Sequence, residues 1–219
     1  MLMAKDIAVF QELSLLSREI GLPDIRRALL KQAAGPWKHS EEREKEIAAN
    51  SRSDDIIVFT REKGDGIEAV GLLLWSDDLV YKVTNIVPRD VSDLSIDAYN
   101  AALRDFVLHV AEPASRIVDF QIDITSERQS LNDWVSSDVA EALRRFSGSA
   151  NKSTGSSHPL DLQRWFRFII VSHREPEKLG TDRLIRWLVE VENWPEDKAH
   201  DLAVEYEFGL GILEAFDKA

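Results

Sequence analysis

Between residues 56 and 87 the chain offers three extended runs with little between them, and this block limits the folds open to it. Ile56–Thr60 is β-branched and aromatic. Residues 67–75, IEAVGLLLW, are apolar on both faces, the pattern of a central strand buried on each side. Leu79–Val87 returns before Pro88. The intervals are tight turns. Lys63-Gly64-Asp65-Gly66 places glycine where a hairpin needs positive φ, and Asp77-Asp78 closes the next reversal. The block reads as a three-stranded antiparallel meander.

A helix follows. Ser95 caps it, and Ile96, Tyr99, Leu103, Phe106, Val107 and Val110 form one apolar stripe that Glu112-Pro113 ends. Residues 117–125, IVDFQIDIT, then alternate, with Phe120, Ile122 and Ile124 inward and Asp119, Gln121 and Asp123 outward. This is a fourth strand, half exposed. The predicted fold class is α+β: a four-stranded antiparallel sheet flanked by helices, with an all-helical C-terminal part.

Before the meander, residues 4–20 place Ile7, Phe10, Leu13 and Ser17 at helical intervals, with Leu15 and Leu16 beside them. Gly21 and Pro23 punctuate that segment, and Asp24–Ala34 reads as a second, short helix. Residues 38–54 are so charged that they read as a solvated helix or a connector. After the fourth strand, helices are expected over 131–146, 159–173, 181–192 and 195–217. The organisation is therefore an N-terminal helical segment 1–54, a sheet unit 55–128 and a helical part 129–219.

Composition narrows the function classes. The 219 residues suffice for a sizeable core, and 44% hydrophobic with 30% charged is globular rather than disordered. With no cysteine, thiolate metal sites, disulfides and cysteine nucleophiles are excluded. The first residues, MLMAKDIAVFQEL, lack a signal-like apolar stretch, and no run is long enough to span a membrane, so a soluble cytoplasmic protein is expected. A net charge of −12 argues against general nucleic-acid binding. That charge is uneven: residues 1–143 carry a net −10 and residues 187–219 a net −7, whereas residues 144–186 carry +5.

Four constellations can carry chemistry. Asp119 and Asp123 project from one face of the fourth strand, where two carboxylates can hold a hard cation. The lysine a metal-dependent nuclease strand would carry two residues beyond is replaced by Thr125, and a polar outer sheet face explains the pair as well. None of the five histidines, His39, His109, His158, His173 and His200, forms an i, i+4 zinc pair, so no metal or cofactor is expected. No G-x-S-x-G elbow occurs, and Ser157-His158 with Asp161 is a poor triad because adjacent serine and histidine rarely face each other.

The fourth constellation is SGSANKSTGSSHPLDLQRW, residues 147–165. NKST shares the lysine-hydroxyl pair of a phosphate-binding loop, but Asn151 stands where that loop needs glycine. What survives is a helix start at His158-Pro159 with acid Asp161 in its first turn, preceded by a serine-glycine loop. Lys152, Ser153, Thr154, Gly155, His158, Arg164 and Arg167 are the candidate anion-binding residues. A flexible linker feeding a capped helix is the competing reading.

Trp165, Trp187 and Trp194 fall at core positions of helices. On the last helix Ala199, Leu202, Ala203, Tyr206, Leu210 and Leu213 form one apolar face and Phe208, Ile212 and Phe216 a second, interrupted by Gly209 and Gly211. A helix apolar on two faces is either buried twice or a surface for a dimer or partner.

Two functional expectations result. The first is a non-enzymatic protein working by protein–protein contact, its acidic residues 1–143 meeting a basic partner as an inhibitor, immunity protein or antitoxin would. The second is a binder or enzyme for an anionic, phosphorylated small ligand at residues 144–167.

Overall fold

The computed structural model describes residues 6–17, 21–50 and 55–219, the side chain of Asn50 excepted. The chain divides into two compact units. One holds Val9–Glu127; the other holds Arg128–Ala219 with Asp6–Ala8.

The first unit is built on a six-stranded, wholly antiparallel sheet. Its strands are β2 (Leu13–Ser17), β3 (Trp37–His39), β4 (Ile56–Arg61), β5 (Val70–Asp77), β6 (Val80–Pro88) and β7 (Phe120–Ile124), ordered β3-β4-β5-β6-β2-β7. The expected meander is present as β4-β5-β6, turned at Asp65-Gly66 and Asp78, all with positive φ. The four strands expected become six because β2 and β3 join them. β2 inserts between β6 and β7, with Leu15 opposite Tyr81 on one side and Ile122 on the other.

Residues 4–20 were expected to form a helix; their described part instead forms β1 (Asp6–Ala8) and β2, while residues 4, 5 and 18–20 lie outside the described residues. The physical reason is the Leu13-x-Leu15 alternation, which buries both leucines in the sheet core. Asn100 holds the break ahead of β2: its side chain accepts from the Gln11 N–H at 2.8 Å and donates to the Val9 carbonyl at 2.8 Å. The segment 1–54 is therefore not simply helical. It adds α1 (Leu22–Gln32) and α2 (Glu41–Asn50) to three strands, and residues 51–54 of the charged stretch lie outside the described residues.

Against one face of the sheet pack Ile25, Ala28 and Leu29 of α1 and Ala102, Leu103 and Phe106 of α3 (Ile96–Phe106). Ser95 caps α3 as expected, accepting from the Ala98 N–H at 3.2 Å. The helix continues through a π turn, Val107–Ala111, into α4 (Glu112–Ser115), where Pro113 has no N–H to continue the ladder.

In the second unit β1 pairs antiparallel with β8 (Arg128–Ser130), so the part expected to be all-helical carries a short ladder. A 3-10 turn, Leu131–Asp133, leads to α5 (Ser137–Ser149), α6 (Pro159–His173), α7 (Thr181–Arg186) with a π turn at Trp187–Val191, and α8 (Glu196–Asp217). The three tryptophans expected in the core are there. Phe146 stacks on Trp194 with centroids 5.5 Å apart and meets Trp165 at 4.7 Å, while Phe168 stacks on Tyr206 at 5.2 Å. Among the described residues no helix is long and apolar enough to cross a membrane.

Candidate functional site

Helices α6 and α8 lie side by side because each presents an apolar stripe at helical spacing. Trp165, Phe168 and Ile169 of α6 are buried, as are Ala199, Leu202, Ala203, Tyr206 and Leu210 of α8. Burial holds the Tyr206 phenol above the usual tyrosine range. Two polar contacts flank the pair: Ser156 Oγ, in the turn before α6, donates to Glu205 at 2.7 Å, and His173 Nε2 lies 2.6 Å from Asp217 Oδ2. Gly209 permits the close approach, since a Cβ there would stand 3.0 Å from the Ile169 side chain.

The second apolar face of α8 is exposed. Phe208 is 71% exposed, Ile212 53% and Phe216 75%, with Val204 also open. On α6, Phe166 and Ile170 continue the same surface. Between the helices runs a groove of about 410 Å³, lined by Leu162, Phe166, Ile170, Phe208, Ile212 and Leu213 among others. Phenylalanines offer roughly 150–250 Å² each, so three of them half to three-quarters exposed form a large patch by the standard of a monomer surface. Around it α8 carries seven carboxylates against one lysine, Lys198, which Asp201 engages at 2.9 Å. Sequence spacing had separated the two faces of α8; which of them stays open depends on α6, which spacing alone does not place.

The basic segment is arranged differently from the expected anion cradle. Ser147 and Gly148 belong to α5, and Ser147 is buried, accepting from Trp194 Nε1 at 2.7 Å. Lys152 Nζ donates to the Glu192 carbonyl. Ser153 donates its N–H and hydroxyl to Asn151 Oδ1, Thr154 Oγ1 donates to the Asn151 carbonyl, and the Ser157 hydroxyl donates to the Thr154 carbonyl at 2.7 Å. Gly155 takes a φ of +65° to close this turn, and both it and Ser156 are buried. His158 is the N-cap of α6, its Nδ1 accepting from the Leu160 N–H at 3.3 Å.

Arg164 donates to the buried Asp161 at 2.6 Å. Arg167 lies on a separate recess with Arg145, Asp138 and Glu141. The four side chains Lys152, His158, Arg164 and Arg167 therefore turn to four different surroundings, and the hydroxyls of Ser153, Thr154 and Ser157 are spent within the loop while that of Ser156 goes to Glu205. The side chains of Ser157, His158 and Asp161 likewise bond elsewhere than to one another.

Asp119 precedes β7 and Asp123 lies within it, both exposed, with Asp123 opposite Ser14 of β2. Among the described residues no group of three or more histidine and carboxylate side chains is placed to hold a metal ion. His109 sits beside Asp105, Nδ1 3.2 Å from its Oδ1, on the π turn.

No family model, curated protein or solved structure matches the chain.

Proposed function

We propose that this chain is a non-enzymatic protein that works by protein–protein contact, and that it docks its partner on the apolar face of α6 and α8. The observation that carries this reading is the exposed run Val204, Phe208, Ile212 and Phe216 on a helix whose rim is acidic. Apolar anchors supply affinity, and a rim of one charge selects the sign of the partner and speeds encounter. The partner so selected presents an apolar ridge flanked by lysine or arginine. An inhibitor, immunity or antitoxin-like role belongs to this class of function.

Ion pairs engage carboxylates on α8, where Asp201 and Asp217 meet Lys198 and His173, and within residues 9–127 alike. Asp24, Glu62, Glu68, Asp77 and Glu127 all stand in ion pairs with Arg27, Arg89, Lys63, Lys82 and Arg104. We place the docking surface on α8 because its carboxylates share a helix with the exposed apolar run.

A labelled amphipathic helical peptide of leucine and lysine tests the reading by fluorescence anisotropy. Binding should weaken as salt rises, fall at least about tenfold in Phe208→Asp, and be absent for the leucine–glutamate peptide. Affinity unchanged in Phe208→Asp sinks the proposal. A concentration-dependent dimer that Phe208→Asp dissolves would instead give the face to a second copy.

A further inference from the structure

Gly71 occupies the middle of β5, paired on both sides, where a glycine costs stability and packs nothing. Two of the usual reasons for it are missing. Its φ is not in the left-handed region, and a Cβ built on it would meet no atom within 4 Å. Its effect is on the outer face of the sheet. There Thr60, Gly71 and Val87 form one row across β4, β5 and β6, with Val58 and Leu73 in the next. The missing side chain deepens the floor of a recess of about 430 Å³, walled by Arg43 and Ile47 of α2, by Pro88 at the end of β6 and by Arg89 and Asp90 after it.

That volume is within the range of about 300–1,000 Å³ typical of small-molecule sites, and its lining matches theirs: an apolar floor with few polar groups at the edge. The charged groups at that edge are two guanidiniums and one carboxylate, and the Thr60 hydroxyl lies in the floor row. Arg89 spans 2.9 Å to Glu62, an exposed pair of the kind that yields readily to a better-shielded anion. Guanidinium is the group best shaped for a carboxylate.

We infer that the recess is a binding site for a small amphipathic carboxylate, its apolar body on the Gly71 floor and its carboxylate at the Arg43 and Arg89 rim. This site stands independently of the α6 and α8 face.

Decanoate is a suitable probe, followed by calorimetry and by NMR shifts of Ile47, Leu73 and Val87. Gly71→Leu puts a side chain into the recess, and its Cβ meets no atom within 4 Å, so its thermal midpoint should hold while decanoate affinity falls at least tenfold. Val87→Glu, at an exposed position, should weaken decanoate as much by adding an anion, and guards against a Gly71 variant that fails to fold. Arg43→Gln with Arg89→Gln should reduce decanoate to the affinity of decanol, and Phe208→Asp should leave it unchanged. Decanoate binding that persists in folded Gly71→Leu, or decanol binding wild type as tightly as decanoate, overturns the proposal. So does sedimentation with phosphatidylserine vesicles that survives Gly71→Leu, because the rim arginines would then be serving a lipid surface.

Discussion

Gly209 of α8 faces Ile169 of α6 so closely that a Cβ on the glycine would stand 3.0 Å from two of the isoleucine's carbons. Two residues along, Gly211 meets nothing within 4 Å. The two glycines thus share a helix and differ in cause. Glycine costs a helix interior about 1 kcal/mol relative to alanine. Gly211→Ala should recover that amount, raising the urea midpoint. Gly209→Ala should recover little or lose stability, since overpacking costs about 1–3 kcal/mol. Equal gains from both would contradict the close approach of the two helices.

A second prediction concerns the buried ion pair of the sheet unit. Arg61 is 1% exposed; its Nε donates to Asp105 at 2.8 Å, and its Nη1 donates to the carbonyls of Glu62 and Gly64. The same Asp105 oxygen accepts from Trp37 Nε1 at 2.7 Å, beneath the Trp37, Phe106 and Phe59 cluster. Asp105→Ala strands a buried guanidinium and should cost about 3–5 kcal/mol by urea unfolding. Replacing both charges, Arg61→Met with Asp105→Leu, should cost less than the single change, because no uncompensated charge remains.

How much of this was legible differs element by element. The turns at Asp65-Gly66 and Asp78, the Ser95 cap and both faces of α8 were readable because each depends on residues within a few positions of one another. β2 was not. Its leucines satisfy a helical spacing as well as an alternating one, and the choice is made by Tyr81 and Ile122, more than sixty residues away. β3 was hidden for a related reason: Trp37-Lys38-His39 is three residues at the head of a charged stretch, drawn into the sheet by pairing with β4 and by burial of Trp37. The serine-glycine segment looked like an unburied linker because its composition offers no apolar anchor. Ser147 and Ser156 are nonetheless buried through hydrogen bonds to Trp194 and Glu205, contacts that composition does not reveal. The recess over Gly71 was likewise beyond the sequence, since it exists only once three strands and α2 are registered together.

Alkaline pH supplies a third test. Burial, then the hydrogen bond that Tyr81 donates to Asp55 at 2.5 Å, holds the Tyr81 phenol far above its ordinary value. Burial also raises Tyr99 and Tyr206. A phenol that keeps its proton more tightly when folded contributes stability fully present below the unfolded value, near pH 10, and lost as pH climbs above it. The unfolding free energy should therefore fall above about pH 10, by up to about 1.4 kcal/mol per pH unit for each such group. Tyr81→Phe should make that slope shallower while costing about 1.5–3 kcal/mol at neutral pH through the lost charge-assisted bond. A stability curve flat between about pH 10 and 11 would contradict the raised values.

The first turn of α6 gives the last prediction. Asp161 is buried there, holds Arg164 at 2.6 Å and lies where the helix dipole favours a negative charge. It therefore supplies internally what an added anion would supply from solution. Inorganic phosphate should raise the thermal midpoint of the native chain no more than sodium chloride does at equal ionic strength. Asp161→Asn should cost about 1–3 kcal/mol, because it weakens both the pairing with Arg164 and the dipole interaction. In that variant phosphate should begin to protect, since Arg164 then lacks its carboxylate and the positive end of the helix dipole lacks its negative charge. Phosphate-specific protection of the native chain would show that Asp161 leaves room for a second anion, and would return residues 144–167 to consideration as the ligand site.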